Sequence, residues 1–466
     1  MIKYFVTAVF VIFSTIELLS QTRLPAMFSD NMVLQQQQLV SVWGVDRPNT
    51  KITVKGSWGN HTTATTDAKG YWKLKLQTPV AGGPYTLLIK GSNEVTLKNV
   101  MIGEVWFCSG QSNMEMPVKG YNNQPIIGSN ETILHFANDN IRFLNTPQAT
   151  SITPLYDVKG EWKTASPATT GNFSATAYYF ARKLQSVLKV RVGIIQSAWG
   201  ASTIESWMDA ETLSAFSNKQ IPVQLPDSLP NRTPTILYNS MLHPYIGYSI
   251  KGVLWYQGEG NRENANEYHA LFSSVITSWR KQWQQGDFPF YFVQIAPFEP
   301  GKINAAFLRE AQLKTMQTVP HTGMAVTLDI GERTVIHPAQ KEQVGNRLAY
   351  WALANDYSIK GIAFSGPVYR EMKQTPDGKL QLRFDYCEQG LTSFGKPLSD
   401  FEVAGEDKVF HPAQARIQND KNGIVTVWSD AVKNPVSVRY AFKNWAEASL
   451  FNTQALPASS FRTDEW

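Results

Sequence analysis

The chain predicts an α/β fold, a doubly wound and mostly parallel sheet flanked by an antiparallel β-domain at each end. Three observations carry this. Between about 101 and 358 short apolar strands alternate with helices of 3.6-residue period, and outside that stretch only short alternating strands occur. One apolar, β-prone run, Gly103 to Cys108, stops abruptly at the turn Gly110-Gln111-Ser112-Asn113. At 466 residues the chain exceeds one core of usual size, so two or three domains are expected.

Residues 1–20 read as a secretory signal peptide: Met1-Ile2-Lys3, an apolar run from Tyr4 to Ile16, then Leu18-Leu19-Ser20 before the polar Gln21-Thr22-Arg23. The run is short for a bilayer span and no later segment is long and apolar enough to be one, so an exported protein, secreted or periplasmic, is expected. From 21 to 100, runs such as Lys51-Ile52-Thr53-Val54-Lys55 and Tyr71-Trp72-Lys73-Leu74-Lys75-Leu76 are separated by turn signals such as Asp67-Ala68-Lys69-Gly70. That spacing predicts a small antiparallel β-sandwich. A helix over 173–188 buries Ala177, Phe180, Ala181, Leu184, Val187 and Leu188; strands follow at 192–195, 250–256, 289–295 and 323–329, with helices at 265–283 and 304–318. The proline-rich stretch 212–234 reads as an excursion beside the sheet. From 359 to 466 alternating runs such as Gly423 to Trp428 and Val436 to Tyr440 predict a second β-domain.

Composition narrows the function. The formal charge of +5 is spread thinly with no basic run, which gives nucleic-acid binding little support. There is no HExxH, no clustered His/Cys spacing and no GxxxxGK(S/T), so neither a metal nor a nucleotide cofactor is expected. With only Cys108 and Cys387 the chain is not disulfide-stapled, although one bridge between them stays open. The many aromatic residues suit a carbohydrate-facing surface and a β-rich core equally well.

Ligand chemistry in an open α/β sheet sits at the carboxyl ends of its strands. Four predicted ends are unusual. They carry Ser112; the small-residue loop Gln196-Ser197-Ala198-Trp199-Gly200; Gln257-Gly258-Glu259-Gly260-Asn261; and, beyond Asp329, Gly331-Glu332-Arg333-Thr334-Val335-Ile336-His337-Pro338. Each piece has a plain alternative as a turn or cap residue. Together Ser112, Gly200, Gln257 and His337 supply a nucleophile, two kinds of oxyanion donor and a general base, the parts that acyl transfer requires.

The blocks GQSNMEMP, SAWGASTIESW, WYQGEGN and IHPAQKEQVGNRLAYWALA, with the ends from Leu24 to Gln35 and from Leu456 to Asp464, resemble the sialate O-acetylesterase family of the SGNH hydrolases. The resemblance spans nearly the whole mature chain. It implies an SGNH-type, flavodoxin-like core, Ser112 as nucleophile, His337 as base, and an oxyanion hole from the Ser112 N–H, the Gly200 N–H and the Gln257 side chain. Gln111, Asn113, Glu205, Glu259, Asp329 and Glu332 are supporting or substrate-binding candidates, with buried structural roles favoured for Glu205 and Glu259. Thr334 and Val335 stand where relatives carry an acid before the histidine. The acceptor for His337 Nδ1 is therefore expected to be a backbone carbonyl of the 332–335 loop, with Asp329 and Glu332 as the rivals.

The function so implied is a secreted serine esterase that removes O-acetyl groups from sugars through an acetyl-enzyme, sialate esters first and acetylated xylan or another polysaccharide second. A non-catalytic carbohydrate-binding protein is the reading from another class; it would be marked by loss of Ser112 or His337, and both are present.

Overall fold

The computed structural model describes residues 21–135, 138–418 and 423–466; the expected signal peptide, 1–20, lies outside them. Strands β1 (Val33–Gln35), β2 (Leu39–Val45), β3 (Lys51–Gly56), β4 (His61–Thr65), β5 (Tyr71–Gln77) and β6 (Gly82–Lys90) lead into β7 (Glu94–Gly110), which is 17 residues long. The central region adds β8 (Asn138–Asn145), β9 (Trp162–Ala165), β10 (Val192–Ala198), β11 (Gly252–Tyr256), β12 (Phe290–Val293) and β13 (Thr322–Ala325). Among the helices interleaved with them are α1 (Ser112–Glu115), α2 (Ala175–Leu188), α3 (Ala265–Trp283), α4 (Ala306–Thr318) and α5 (Lys341–Asn355).

The central sheet runs β13-β12-β11-β7-β10-β8-β9, parallel throughout except for the antiparallel edge strand β9. It is buried on both faces, because successive residues of each strand point to opposite sides. Val105 and Phe107 of β7 join the core shared with α3 and α4; Trp106 and Cys108 join the core shared with α2 and α5. The mixed α/β layering expected from the alternating strands and helices is present. Chain order reverses on either side of β7, which makes the end of β7 a topological switch point.

The expected boundary at 100/101 falls within β7. The first half of β7 pairs antiparallel with β6, while its second half pairs with β10 and β11, so one strand belongs to both regions. No turn separates the halves. Gly103, the residue that could have signalled one, instead permits close approach: a Cβ there would lie 2.1 Å from the Arg191 carbonyl oxygen. The terminal region forms two four-stranded antiparallel sheets and latches onto the central region through buried polar contacts. Arg309 Nε donates to Ser460 Oγ at 3.0 Å and Gln294 Nε2 to Ser459 Oγ at 2.7 Å. Cys108 and Cys387 are free and buried, so the open bridge does not form. No helix among the described residues is long and apolar enough to cross a membrane.

Candidate active site

Parallel pairing in register places Gly110 beside Ala198 on one side and Tyr256 on the other, so the loops after β7, β10 and β11 open at one point. Gly110 has φ +137°, and a Cβ there would lie 2.1 Å from the Tyr256 carbonyl oxygen. Only glycine fits that backbone approach. The chain then turns at once, Gln111 N–H donating to Tyr256 O at 2.9 Å, and Ser112 opens α1 with its own N–H unpaired, as a helix start leaves it.

His337 lies in the loop before α5, whose first residue is Lys341. Its Nε2 is 2.7 Å from Ser112 Oγ, the distance of a hydroxyl donating to a neutral imidazole. The two residues singled out from separate strand ends therefore meet in hydrogen-bond contact, a hydroxyl beside an imidazole nitrogen.

The acceptor for Nδ1 is neither a loop carbonyl nor a carboxylate. Gln124 Oε1 takes that hydrogen bond, which corrects the expectation of a backbone carbonyl from 332–335. Gln124 is fixed by a two-way backbone bridge with Tyr121, 3.0 Å in each direction, and the Tyr121 ring stands edge-on to the imidazole with centroids 5.5 Å apart. The two carboxylate rivals are committed elsewhere. Asp329 forms a bidentate pair with Arg347 at 2.7 and 2.6 Å, and Glu332 Oε1 accepts from Ala339 N–H at 2.9 Å.

Burial, and then the charge of Lys341, push the His337 imidazole down to about 4 from its usual value near 6.5. Lys341 is itself fully buried and pushed down to about 7 by that burial, against the opposing pull of Glu259 and Glu332. Its Nζ donates to Asn113 Oδ1.

Comparison with known proteins shows the family. The sequence profile of a carbohydrate esterase family, the sialic acid-specific acetylesterases, matches residues 102–354. The chain belongs to this family. It is 30% identical to human sialate O-acetylesterase, covering 94% of this chain and 92% of that protein, and 28% identical to the mouse enzyme, covering 94% and 93%. A carbohydrate acetylesterase from Xanthomonas citri superposes with a TM-score of 0.86 at 38% identity, over 96% of this chain and all of that one. The protein is a carboxylic ester hydrolase.

The oxyanion donors that membership in this acetylesterase family implies are only partly brought together. Gly200 stands beside the nucleophile, since a Cβ there would lie 3.4 Å from Ser112 Cβ. Its N–H, however, donates to Glu115 Oε2 at 2.6 Å, and Glu115 Oε1 accepts from Gln148 Nε2 at 2.6 Å. Both oxygens accept, so the carboxyl group occupies the Gly200 donor as an acetate would. Burial works against its charged form and raises its pKa. Gln257 is not presented to Ser112 as a donor, contrary to expectation. It is fully buried; its Nε2 donates to Ser202 O at 3.0 Å and Asn261 Oδ1 at 2.7 Å, and its Oε1 accepts from Tyr268 Oη at 2.8 Å. Its amide protons are both spent inside the protein.

The remaining candidates brace the loops. Gln111 Oε1 accepts from the N–H groups of Gly258 and Gly260 at 3.1 and 3.2 Å. Asn113 Nδ2 donates to Glu259 Oε1 at 2.6 Å and to Ile336 O at 3.2 Å. Glu205 accepts from Asn261 at 2.9 Å and pairs with Lys219 of the 212–234 excursion at 2.9 Å. Asn231, near the end of that excursion, donates to Gly200 O at 2.6 Å and so fixes the Gly200 loop from outside. The structural roles favoured for Glu205 and Glu259 fit these contacts. Among the described residues no group of three His, Cys, Asp or Glu side chains is placed to hold a metal ion.

Gln124, Tyr121, Lys341 and Gln148 were not singled out in the sequence. Gln124 sits in the polar turn Tyr121-Asn122-Asn123-Gln124-Pro125, which carries no spacing signal relative to His337, 213 residues away. Lys341 did have one: four residues after His337 at the head of a helix whose inner face is apolar, a cation with nowhere to go but inward.

Two outcomes follow for the site. Gln124→Ala should lower kcat by about 10²-fold or more by freeing the imidazole tautomer, whereas Asp329→Asn and Glu332→Gln, where folded, should stay within about tenfold. In the parent, the acid limb of kcat/KM should have its midpoint near pH 4, because the base is active only when neutral and its pKa is displaced downward; a midpoint near 6.5 in a pH–rate profile would contradict the buried setting. Gln257→Ala should act on stability instead, losing about 1–3 kcal/mol for each buried partner left unpaired, read as a fall in Tm with kcat of the folded fraction within about tenfold.

Proposed function

We propose that the protein hydrolyses O-acetyl esters of sugars through an acetyl-Ser112 intermediate, as an exported enzyme. The Ser112 Oγ to His337 Nε2 hydrogen bond at the mouth of the parallel sheet carries this reading. His337 takes the hydroxyl proton as Oγ attacks the acetyl carbon. The tetrahedral oxyanion is received at the Ser112 N–H and, once Glu115 withdraws from it, at the Gly200 N–H. His337 then passes the proton to the leaving sugar hydroxyl, and water repeats the sequence to release acetate. Gln124 keeps the Nδ1 proton in place through both halves.

The names of the mammalian relatives support an acetylated sugar as substrate, and the Xanthomonas relative's name supports acetyl as the group removed. Export rests on the pattern of residues 1–20. Ser112→Ala should lower acetyl release by about 10³-fold or more without changing the melting temperature by more than a few degrees. Rapid quench with a chromogenic acetyl ester should put one acetyl group on the peptide bearing Ser112 in the parent. Turnover of the variant within tenfold of the parent would overturn the assignment.

A further inference from the structure

A cavity of about 360 Å³ opens where the N-terminal strands meet the central region. Trp43 of β2 and Tyr71 and Trp72 of β5 form one wall; Tyr156, His243 and Pro244 form the other. None of them borders the cleft over Ser112, which is lined by residues around the ends of β7, β8 and β10. A pocket for one small ligand measures roughly 300–1,000 Å³, so this one is large enough for a single ring.

Two of its aromatic side chains face water. Strand β5 alternates strictly between exposed and buried positions, and its outward residues are Tyr71, Lys73, Lys75 and Gln77. Tyr71 keeps 45% of its surface and Tyr156 keeps 38%, whereas the neighbouring Trp43 and Trp72 are almost covered. The two tyrosine rings meet across the walls with centroids 5.3 Å apart and planes tilted by 60°, a bent aromatic platform supplied from both sides. Neither hydroxyl has a hydrogen-bond partner among the described residues.

The polar groups around this platform have bonding capacity to spare. Asp67 Oδ1 holds the turn before β5, accepting from Lys69 N–H at 2.8 Å and Tyr71 N–H at 2.9 Å, and its Oδ2 has no partner among the described residues. Lys73 Nζ stands 5.6 Å from the centroid of the Trp43 ring, with no carboxylate partner among the described residues. His243 Nδ1 donates to Leu155 O at 2.8 Å, which leaves Nε2 of the neutral ring as an acceptor. Exposed rings beside a free donor and free acceptors complement a sugar. The C–H face of a pyranose packs on the negative face of an aromatic ring, and each hydroxyl at its edge both donates and accepts. A purely apolar ligand would strip water from Asp67 and Lys73 and give nothing back.

We infer that this cavity is a second carbohydrate-binding site, separate from the ester chemistry, which holds a pyranose ring of a glycan chain on Tyr71 and Tyr156. The segment that walls the cleft from Asn145 to Gln148 runs on to Tyr156. At ~3.6 Å per residue, the stretch from Gln148 to Tyr156 spans at most roughly 29 Å. Tyr245, between Pro244 and Ile246 of the cavity wall, also bonds Thr146 of the cleft at 2.7 Å between hydroxyl oxygens. A glycan held at the second site therefore stays near Ser112, which raises its effective concentration there without any new contact to the ester.

The test titrates the purified full chain with unacetylated cellohexaose, xylohexaose, mannohexaose and sialyllactose by isothermal calorimetry, each at up to about 10 mM. At least one should bind. The double variant Tyr71→Ala/Tyr156→Ala should weaken that binding by about tenfold or more, while turning over p-nitrophenyl acetate within about twofold of the parent. Should the double variant not fold, hydrogen exchange of the parent decides: the bound glycan should slow exchange in peptides covering 67–73 and 152–157. No binding of any probe, binding that survives the loss of both rings, or protection confined to peptides around the cleft would overturn the inference. Because the probes carry no ester, this result is independent of the esterase reading, which would instead be sunk by a parent that fails to turn over p-nitrophenyl acetate and every acetylated sugar.

Discussion

The active centre depends on one buried amide. Asn113 Nδ2 reaches both Glu259 on the loop after β11 and the Ile336 carbonyl just before His337, while its Oδ1 receives Lys341 from the head of α5. Ser112 is its immediate neighbour. A single side chain thus ties the nucleophile's turn to the base's loop across more than 200 residues of sequence, and it does so from a position with no exposure to solvent. Such a polar network is worth most where the dielectric is low, because every broken contact would leave a further buried group unpaired, as Glu259 Oε2 already is. The His337–Ser112 distance is a consequence of this brace more than of any property of the histidine loop, which has no regular secondary structure of its own.

The same brace sets the electrostatics. Lys341 must be buried to reach Asn113, and Glu259 must be buried to receive it; burial raises the Glu259 pKa and lowers that of Lys341. His337 lies close enough to share the low-dielectric setting and feel the Lys341 charge. An imidazole held down to about 4 is present as a free base at any ordinary pH, though each molecule is a weaker base. Gln124 completes the arrangement without adding charge. An amide oxygen fixes the tautomer as a carboxylate would, but it stabilises the imidazolium less. Thr334 and Val335 bring no acid before the histidine, and the imidazole takes a neutral partner supplied from another loop.

Glu115 gives the cleft its character. It lies one helical turn beyond Ser112 and returns its carboxyl group to the Gly200 N–H, so the backbone donor beside Ser112 is already engaged. Its other oxygen accepts from Gln148 Nε2, which ties the wall of the cleft to the turn after β7.

The sequence by itself determined the alternation of strands and helices and most of the strand ends, though the strand expected over 323–329 stops at Ala325. Period-2 and period-3.6 patterns are local, so α3 is read at its observed bounds and β10, β11 and β12 within a few residues. Strand ends follow from those patterns, and Ser112 and His337 with them. Tertiary structure decided what lies between elements. Whether β7 ends at 100 or continues depends on the partners waiting on each side of it, and Gly103 looks the same in either case. Whether Gln257 faces the nucleophile or the interior depends on Ser202, Asn261 and Tyr268, which converge only in three dimensions. The orienting group expected for His337 lies between Asp329 and Val335, because an acid there would be visible in the chain. Its actual partner, Gln124, belongs to a turn whose only local instruction is to bend, and nothing short of the folded packing brings that turn to the imidazole.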